Sequence, residues 1–232
     1  MNLFTERQFF AARKWSNTEI RKIGRLFEGD AINVSGWDDR DKEGGQYREY
    51  FPNLSSYAIS NYSGKRGTQG TSSEIFIDLE TPLSTDLSRR YDLVFNHTTL
   101  EHVFNVRRAF GNLCEMSRDA VLIVVPWAQV AHPSSSFGDF WRFSPEAVQR
   151  LFEAEGFAPL YISGSPMRQA AIYVLGLGVR NADRWAQHNI PKAMEHQPLG
   201  DWIGAPSFAF KIIRRLGLHK VLKLAPREPG AI

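Results

Sequence analysis

YDLVFNHTTLEHVFNVRRAFGNLCEMSRDAVLIVVPW, residues 91–127, decides the fold. It opens on a short run of strand character (91–96, YDLVFN), passes through a helical stretch at about 99–117, and closes on AVLIVVPW at 120–127. The closing run is apolar on both faces, as expected of a central parallel strand covered by helices on either side. Strand, helix and strand in this order predict parallel neighbours joined by a right-handed crossover. Thr98 and Glu101 have capping-box spacing at the start of the helix.

The same alternation extends outward. Upstream, residues 31–36 (AINVSG), 57–62 (YAISNY) and 74–79 (EIFIDL) read as strands. Before them, residues 5–28 read as helix. Thr5 with Gln8 and Ser16 with Glu19 fit capping boxes there, Phe9, Phe10, Ile20, Ile23, Leu26 and Phe27 supply an apolar stripe, and Gly29 ends the region. Downstream, Ser144 suits an N-cap, Pro145 the first helical position, Glu146 the helix dipole and Gly156 the C-terminus. Two further strands are predicted at 158–162 and 171–176. Residues 63–73 (SGKRGTQGTSS) are glycine-rich and polar, a loop by composition. From Asn181 onward the pattern weakens, with prolines at 191, 198 and 206. The chain therefore divides into an N-terminal helical segment (1–29), a sheet domain (30–180) and an appended tail (181–232). In open α/β sheets ligands bind beyond the carboxyl ends of the strands, so the residues just after each strand are where chemistry is expected.

Composition narrows the class. At 232 residues, 43% hydrophobic and 23% charged, the chain suits one domain that holds its core without disulfides. Cys114 is the sole cysteine, which excludes an intramolecular disulfide and a cysteine-built metal site; a buried apolar role fits it. The first residues (MNLFTER) have no signal-peptide pattern and no run reaches the ~20 apolar residues of a membrane span, so a cytoplasmic location is expected. A net charge of +3 is too small to argue for nucleic acid. The positive charge gathers near the C-terminus. In residues 207–224 (SFAFKIIRRLGLHKVLKL), Phe208, Ile212, Leu216 and Val221 tend to one side and Lys211, Arg214, Arg215, Lys220 and Lys223 to another. Such a helix suits peripheral contact with an anionic membrane, or packing on the domain with a solvated basic face.

Two stretches carry a family resemblance. Residues 91–103 (YDLVFNHTTLEHV) and 139–157 (DFWRFSPEAVQRLFEAEGF) together resemble the class I S-adenosylmethionine-dependent methyltransferases. In that family a strand beginning with Asp often closes on Leu-Glu-His. A Trp/Tyr-Arg-Phe, Ser/Thr-Pro, helix, Gly-Phe sequence follows its fifth strand. The resemblance spans about residues 30–175 and implies a Rossmann-like, mostly parallel α/β sheet with helices on both faces. It implies S-adenosylmethionine as cofactor and methyl transfer to a small-molecule or saccharide acceptor. The family's glycine-rich loop after the first strand corresponds here to Ser35, Gly36 and Trp37, with one glycine in place and a bulky neighbour. Its acidic residue after the second strand, which accepts from the ribose hydroxyls, corresponds to Asn61. Asp78 stands where a carboxylate accepts from the adenine amino group, with Leu79 beside it and Asn96 at the end of the fourth strand. Two outcomes are open: the cofactor binds through Gly36, Asn61, Asp78 and backbone groups, or the fold is kept and the cofactor site has decayed.

Methyl transfer is a direct displacement, so much of its catalysis comes from holding the acceptor in line. A hydroxyl acceptor benefits from a base titrating near neutrality, which histidine supplies best. His97 directly follows the fourth strand and ranks first; His132, after the fifth strand, ranks second. Glu101 reads as a helix cap and Asp92 as structural. Asp139 and Arg142 flank Phe140 and Trp141 in a loop able to cover an acceptor, with Trp127 as a further wall, although ordinary packing explains those aromatics equally well. His97, His102 and His132 with Glu101 and Asp139 lack a tight ligand spacing such as H-E-x-x-H, so no metal is expected. Three functions remain: a methyltransferase, a non-catalytic relative binding a partner or ligand in a biosynthetic complex, and a membrane-surface accessory protein acting through the basic tail.

Overall fold

A computed structural model describes residues 3–62, 74–129, 131–135, 137–165, 173–188 and 190. Seven strands form one sheet: β1 (Gly29–Val34), β2 (Leu54–Asn61), β3 (Glu74–Phe76), β4 (Tyr91–His97), β5 (Ser117–Pro126), β6 (Ala158–Gly164) and β7 (Tyr173–Val179). Their order is β3-β2-β1-β4-β5-β7-β6. β1 to β5 run parallel, whereas β7 is antiparallel to both β5 and β6. The chain walks one way from β1 and returns the other way through β4, so the switch point lies between the carboxyl ends of β1 and β4. All seven predicted strands are present. β5 is buried at all but one position, as its two-sided apolar pattern implies.

One face of the sheet is covered by α2 (Val106–Met116) and α3 (Pro145–Ala154), whose Phe110, Leu113, Val148 and Phe152 are fully buried. α3 begins as the sequence predicts: the Ser144 hydroxyl accepts from Ala147 N at 3.1 Å, Pro145 follows, and Gly156 takes φ +74° beyond the end. Its approach to β7 depends on two glycines. A Cβ on Gly178 would lie 2.1 Å from the Phe152 ring, and one on Gly176 2.5 Å from Val148 Cγ1. Gly178→Ala is therefore expected to lower the denaturation midpoint by the equivalent of about 1–3 kcal/mol, because the buried Phe152 ring has no free space to yield into.

The opposite face is covered by α1 (Leu3–Gly24). Ile20 and Ile23 bury there with Leu93, Phe95, Leu122 and Leu175, making the helix a layer of the domain. Ser16 lies inside this single helix and forms no capping box; the Thr5 side chain lies outside what the structure describes. The Ser16 hydroxyl instead donates to Arg13 O at 2.8 Å, and Glu19 accepts from Lys22 and the Tyr161 hydroxyl. Residues 181–188 also belong to the domain. Trp185, in the short α4 (Ala182–Trp185), packs on Phe27 at 5.3 Å and donates to the Asp119 carboxylate at 3.1 Å. The loop at 63–73 and the basic segment at 207–224 lie outside the described residues. No helix among the described residues is long and apolar enough to cross a membrane.

The crossovers differ between the two halves. β4 and β5 are joined by α2, preceded by a 3-10 turn, Leu100–His102. Thr98 sits at φ +51° and caps nothing; Asn105 caps α2, accepting from Arg108 N at 3.3 Å. The Thr98–Glu101 capping box is thus absent, and Glu101 is wholly buried. β1 and β2 are joined by a loop whose one helical element is the 3-10 turn Tyr47–Tyr50.

Candidate functional site

The loop after β1 is held against the end of β2. Ser35 N donates to Ser60 Oγ at 3.3 Å, Gly36 N to Ser60 O at 3.0 Å and Trp37 N to Asn61 Oδ1 at 2.7 Å. Asn61 Nδ2 returns a bond to Trp37 O at 3.1 Å. The amides expected to approach a cofactor are therefore occupied, and the Asn61 side chain clamps the loop. Gly36 is required by a close approach, since a Cβ there would lie 2.5 Å from Asn33 Nδ2. Asn33 in turn donates to Asp39 Oδ1 at 2.7 Å.

Two buried aspartates hold the rest of this loop, and sequence reading missed both. Asp39 accepts from Asn33, Arg48 N and the Tyr57 hydroxyl, yet burial outweighs these bonds and raises its pKa. Asp41 accepts from Glu43 N at 2.7 Å, Gly45 N at 2.9 Å and the Tyr50 hydroxyl at 2.5 Å, with Arg21 of α1 at 3.3 Å. The acidic run at 38–41 was the available signal, but solvated loop carboxylates look the same in sequence.

Asp78 lies just past β3, half-buried, with Oδ1 accepting from Glu80 N at 2.8 Å; among the described residues nothing bonds its second oxygen. Leu79 is buried in the core. Asn96 is fully buried and ties β4 to β1 by donating to Val34 O at 2.8 Å, leaving its own Oδ1 without a partner. Asp78 thus presents one carboxylate oxygen without a bond among the described residues, while the amides of residues 35–37 are all engaged.

Among the described residues, the large exposed hydrophobics line one edge of the sheet. They are Trp37, Tyr62, Phe76, Phe104, Phe140 and Trp141, exposed by 38–67%. Each lies at or beyond the carboxyl end of β1 to β5. Clustered apolar exposure of this kind marks a binding surface. Trp127, expected as another wall, is buried in the core instead.

His97 sits at the switch point with both ring nitrogens engaged. Arg13 Nη1 is 2.8 Å from Nδ1, and because a guanidinium only donates, Nδ1 accepts. Nε2 therefore carries the hydrogen and faces Ser16 Oγ at 3.1 Å, whose own proton goes to Arg13 O. Burial first, then the Arg13 and Lys42 charges, push the His97 pKa well below its ordinary value. The ring is neutral, but the lone pair needed for general-base action is taken by α1. Neither Arg13 nor Ser16 carries a sequence signal for this contact, which joins positions more than 80 residues apart.

A second cluster forms where the loop after β5 folds over Leu100–His102. Phe140 N and Trp141 N both donate to Glu101 O, at 2.7 and 3.3 Å. Trp141 Nε1 reaches Val103 O at 3.0 Å. His102 Nδ1 lies 2.6 Å from Gly138 O. Asp139 is gripped by Arg142 at 2.5 and 2.8 Å, accepts from His132 N at 2.6 Å and faces His132 Nδ1 at 3.3 Å. Chiefly through Arg142, its pKa falls to about 2. Ligand-type atoms of Glu101, His102 and His132 all lie within 4.8 Å of one another. A cavity of about 690 Å³ lies elsewhere, along α2, lined by Arg89, Arg107, Arg108 and Arg180 among others, and includes none of these residues.

No model of a known protein family matches the sequence, and no curated protein does. Solved structures do. A Burkholderia thailandensis 1,6-didemethyltoxoflavin-N1-methyltransferase, with bound 1,6-didemethyltoxoflavin and S-adenosylhomocysteine, is 12% identical over 72% of this chain and 77% of its own, with a TM-score of 0.52. An S-adenosylmethionine-dependent methyltransferase from Clostridium acetobutylicum is 10% identical over 72% and 90%, with a TM-score of 0.52. Magnesium protoporphyrin IX methyltransferase from Synechocystis, with bound S-adenosylhomocysteine, is 10% identical over 78% and 89%, with a TM-score of 0.50. Strand order, the antiparallel β7 and these neighbours agree: the chain has the class I S-adenosylmethionine-dependent methyltransferase fold.

Proposed function

We propose that this chain is an S-adenosylmethionine-dependent methyltransferase acting on a small-molecule or saccharide acceptor. The observation that carries it is the row of exposed aromatics along the carboxyl ends of β1 to β5, with the half-open Asp78 carboxylate just past β3. When bound, the cofactor supplies the transferable methyl group. Asp78 accepts from the adenine amino group, and Trp37, Tyr62 and Phe76 offer aromatic surface to the base. The Trp37 amide becomes available to the amino-acid end only when the Asn61 side chain swings away, and the amides of Ser35 and Gly36 only when they part from Ser60. On the acceptor side, Phe104, Phe140 and Trp141 wall the cleft. His132, backed by Asp139, is the histidine placed to meet an acceptor hydroxyl, while His97 joins α1 to β4.

Calorimetric titration with S-adenosylmethionine and S-adenosylhomocysteine tests this. Asp78→Ala should weaken binding by about 10- to 150-fold, the equivalent of about 1.5–3 kcal/mol for one charged acceptor. Unchanged affinity would remove Asp78 from the site. If neither compound binds the wild-type chain, the enzyme proposal fails. A second reading would then stand, favoured by the occupied amides of residues 35–37: a non-catalytic protein of this fold that binds another ligand or a partner.

A further inference from the structure

The Glu101 side chain is fully buried, and neither carboxylate oxygen has a hydrogen-bond partner among the described residues. A buried carboxyl without partners is costly to ionise, and a bound cation is one means of compensating that charge. His102 Nε2 lies 3.7 Å from Oε1. One of the two neighbouring histidines is already oriented. His102 Nδ1 must carry a hydrogen, since the Gly138 carbonyl can only accept, and this leaves the Nε2 lone pair toward Glu101. His132 brings a ring nitrogen into the same cluster, with its Nδ1 3.3 Å from the Asp139 carboxylate that Arg142 fixes. A histidine whose far nitrogen is held by a carbonyl or a carboxylate is the usual support of a metal ligand.

We propose that Glu101, His102 and His132 bind one divalent transition cation of the zinc, cobalt and manganese class at the acceptor side of the cleft. Two imidazoles and one carboxylate suit borderline cations and leave coordination positions open. Metal–ligand bonds of about 2.1 Å place ligand atoms about 3–3.4 Å apart, so the side chains would close by roughly 1–2 Å from the present 4.8 Å limit. The cluster lies beneath the segment carrying Phe140 and Trp141, where an acceptor enters. Open positions on the ion fit an acceptor with two adjacent oxygens, as on a saccharide ring. The ion then polarises the acceptor hydroxyl, and His132 serves as its ligand. The site itself is independent of cofactor binding; only this use of the ion rests on the methyltransferase reading.

The test is titration of the untagged full chain with Co²⁺, read by visible absorption, with Zn²⁺ in competition. One ion per chain with histidine-type d–d bands is expected. Glu101→Gln, which preserves shape, and His102→Ala and His132→Ala should each weaken uptake by about 100-fold or more, given that even supporting residues cost 10- to 100-fold. His188→Ala, outside the cluster, should change nothing. Absence of a bound ion in the wild type, or equal uptake in the three cluster variants, overturns the site. Titration of chelator-treated protein with S-adenosylhomocysteine separates the two proposals: nucleoside binding without Co²⁺ uptake removes the metal alone, and Co²⁺ uptake without nucleoside binding removes the methyltransferase alone.

Discussion

Replacing Asp41 by alanine is expected to cost about 3 kcal/mol or more and to leave the loop between β1 and β2 without its fixed form. The carboxylate is fully buried and receives Glu43 N, Gly45 N, the Tyr50 hydroxyl and Arg21. Its removal strands several donors, and each unsatisfied buried group costs about 1–3 kcal/mol, partly recovered where water enters. The loss should spread to α1, because Arg21 and Asn17 both bond this residue, Asn17 through the Asp41 carbonyl. Burial raises the Asp41 pKa, but the Tyr50 hydroxyl, the two amides and the Arg21 charge more than offset it, and the net shift is downward. A carboxyl with a lowered folded pKa stabilises above its unfolded value, near 3.9, and loses that contribution as pH falls through the folded value. The stability gap between wild type and Asp41→Ala, measured by denaturant unfolding, should therefore be flat from about pH 5 to 8 and narrow below about pH 4. Asp39, raised by burial, has the opposite sign and is relieved in acid. A gap independent of pH into strong acid would show that Asp41 acts by filling space rather than by charge.

What was legible in the sequence was what neighbouring residues decide. The two-sided apolar run of β5 and the Ser144-Pro145…Gly156 frame of α3 are local signals, and nothing distant opposes them. Capping boxes are equally local but weaker. Ser16 and Glu19 have the right spacing inside a helix that continues because Ile20 and Ile23 bury on the sheet. At Thr98 and Glu101 the spacing met a residue at φ +51° and a fully buried carboxylate. For the candidate site the sequence offers positions but not their state. Strand ends single out Gly36, Asn61, Asp78, His97 and His132 as candidates, yet Asn61 clamps Trp37 across 24 positions and Arg13 takes the His97 lone pair across 84. Long-range hydrogen bonds of this kind leave no periodic trace in a sequence.

The two histidines at the carboxyl edge are expected to separate by kinetics. His132→Asn should lower turnover by roughly 10²–10⁴-fold while S-adenosylmethionine affinity stays near wild type, because under the proposed function the residue, backed by Asp139, lies on the acceptor side. That loss holds whether the ring meets the acceptor directly or through a bound cation. His97→Asn should act elsewhere. Arg13, His97 and Ser16 close a ring in which the guanidinium donates to Nδ1, Nε2–H to the serine oxygen, and the serine proton to the Arg13 carbonyl. Asparagine is too short to span it, so about 1–3 kcal/mol of stability should go, with α1 loosening from β4. Turnover per folded molecule should then fall far less than in His132→Asn. If His97→Asn instead keeps its melting temperature and loses turnover by 10²-fold or more, Arg13 releases the ring during the reaction and His97 is the base. Full activity in both variants would leave alignment of the acceptor as the whole of the catalysis.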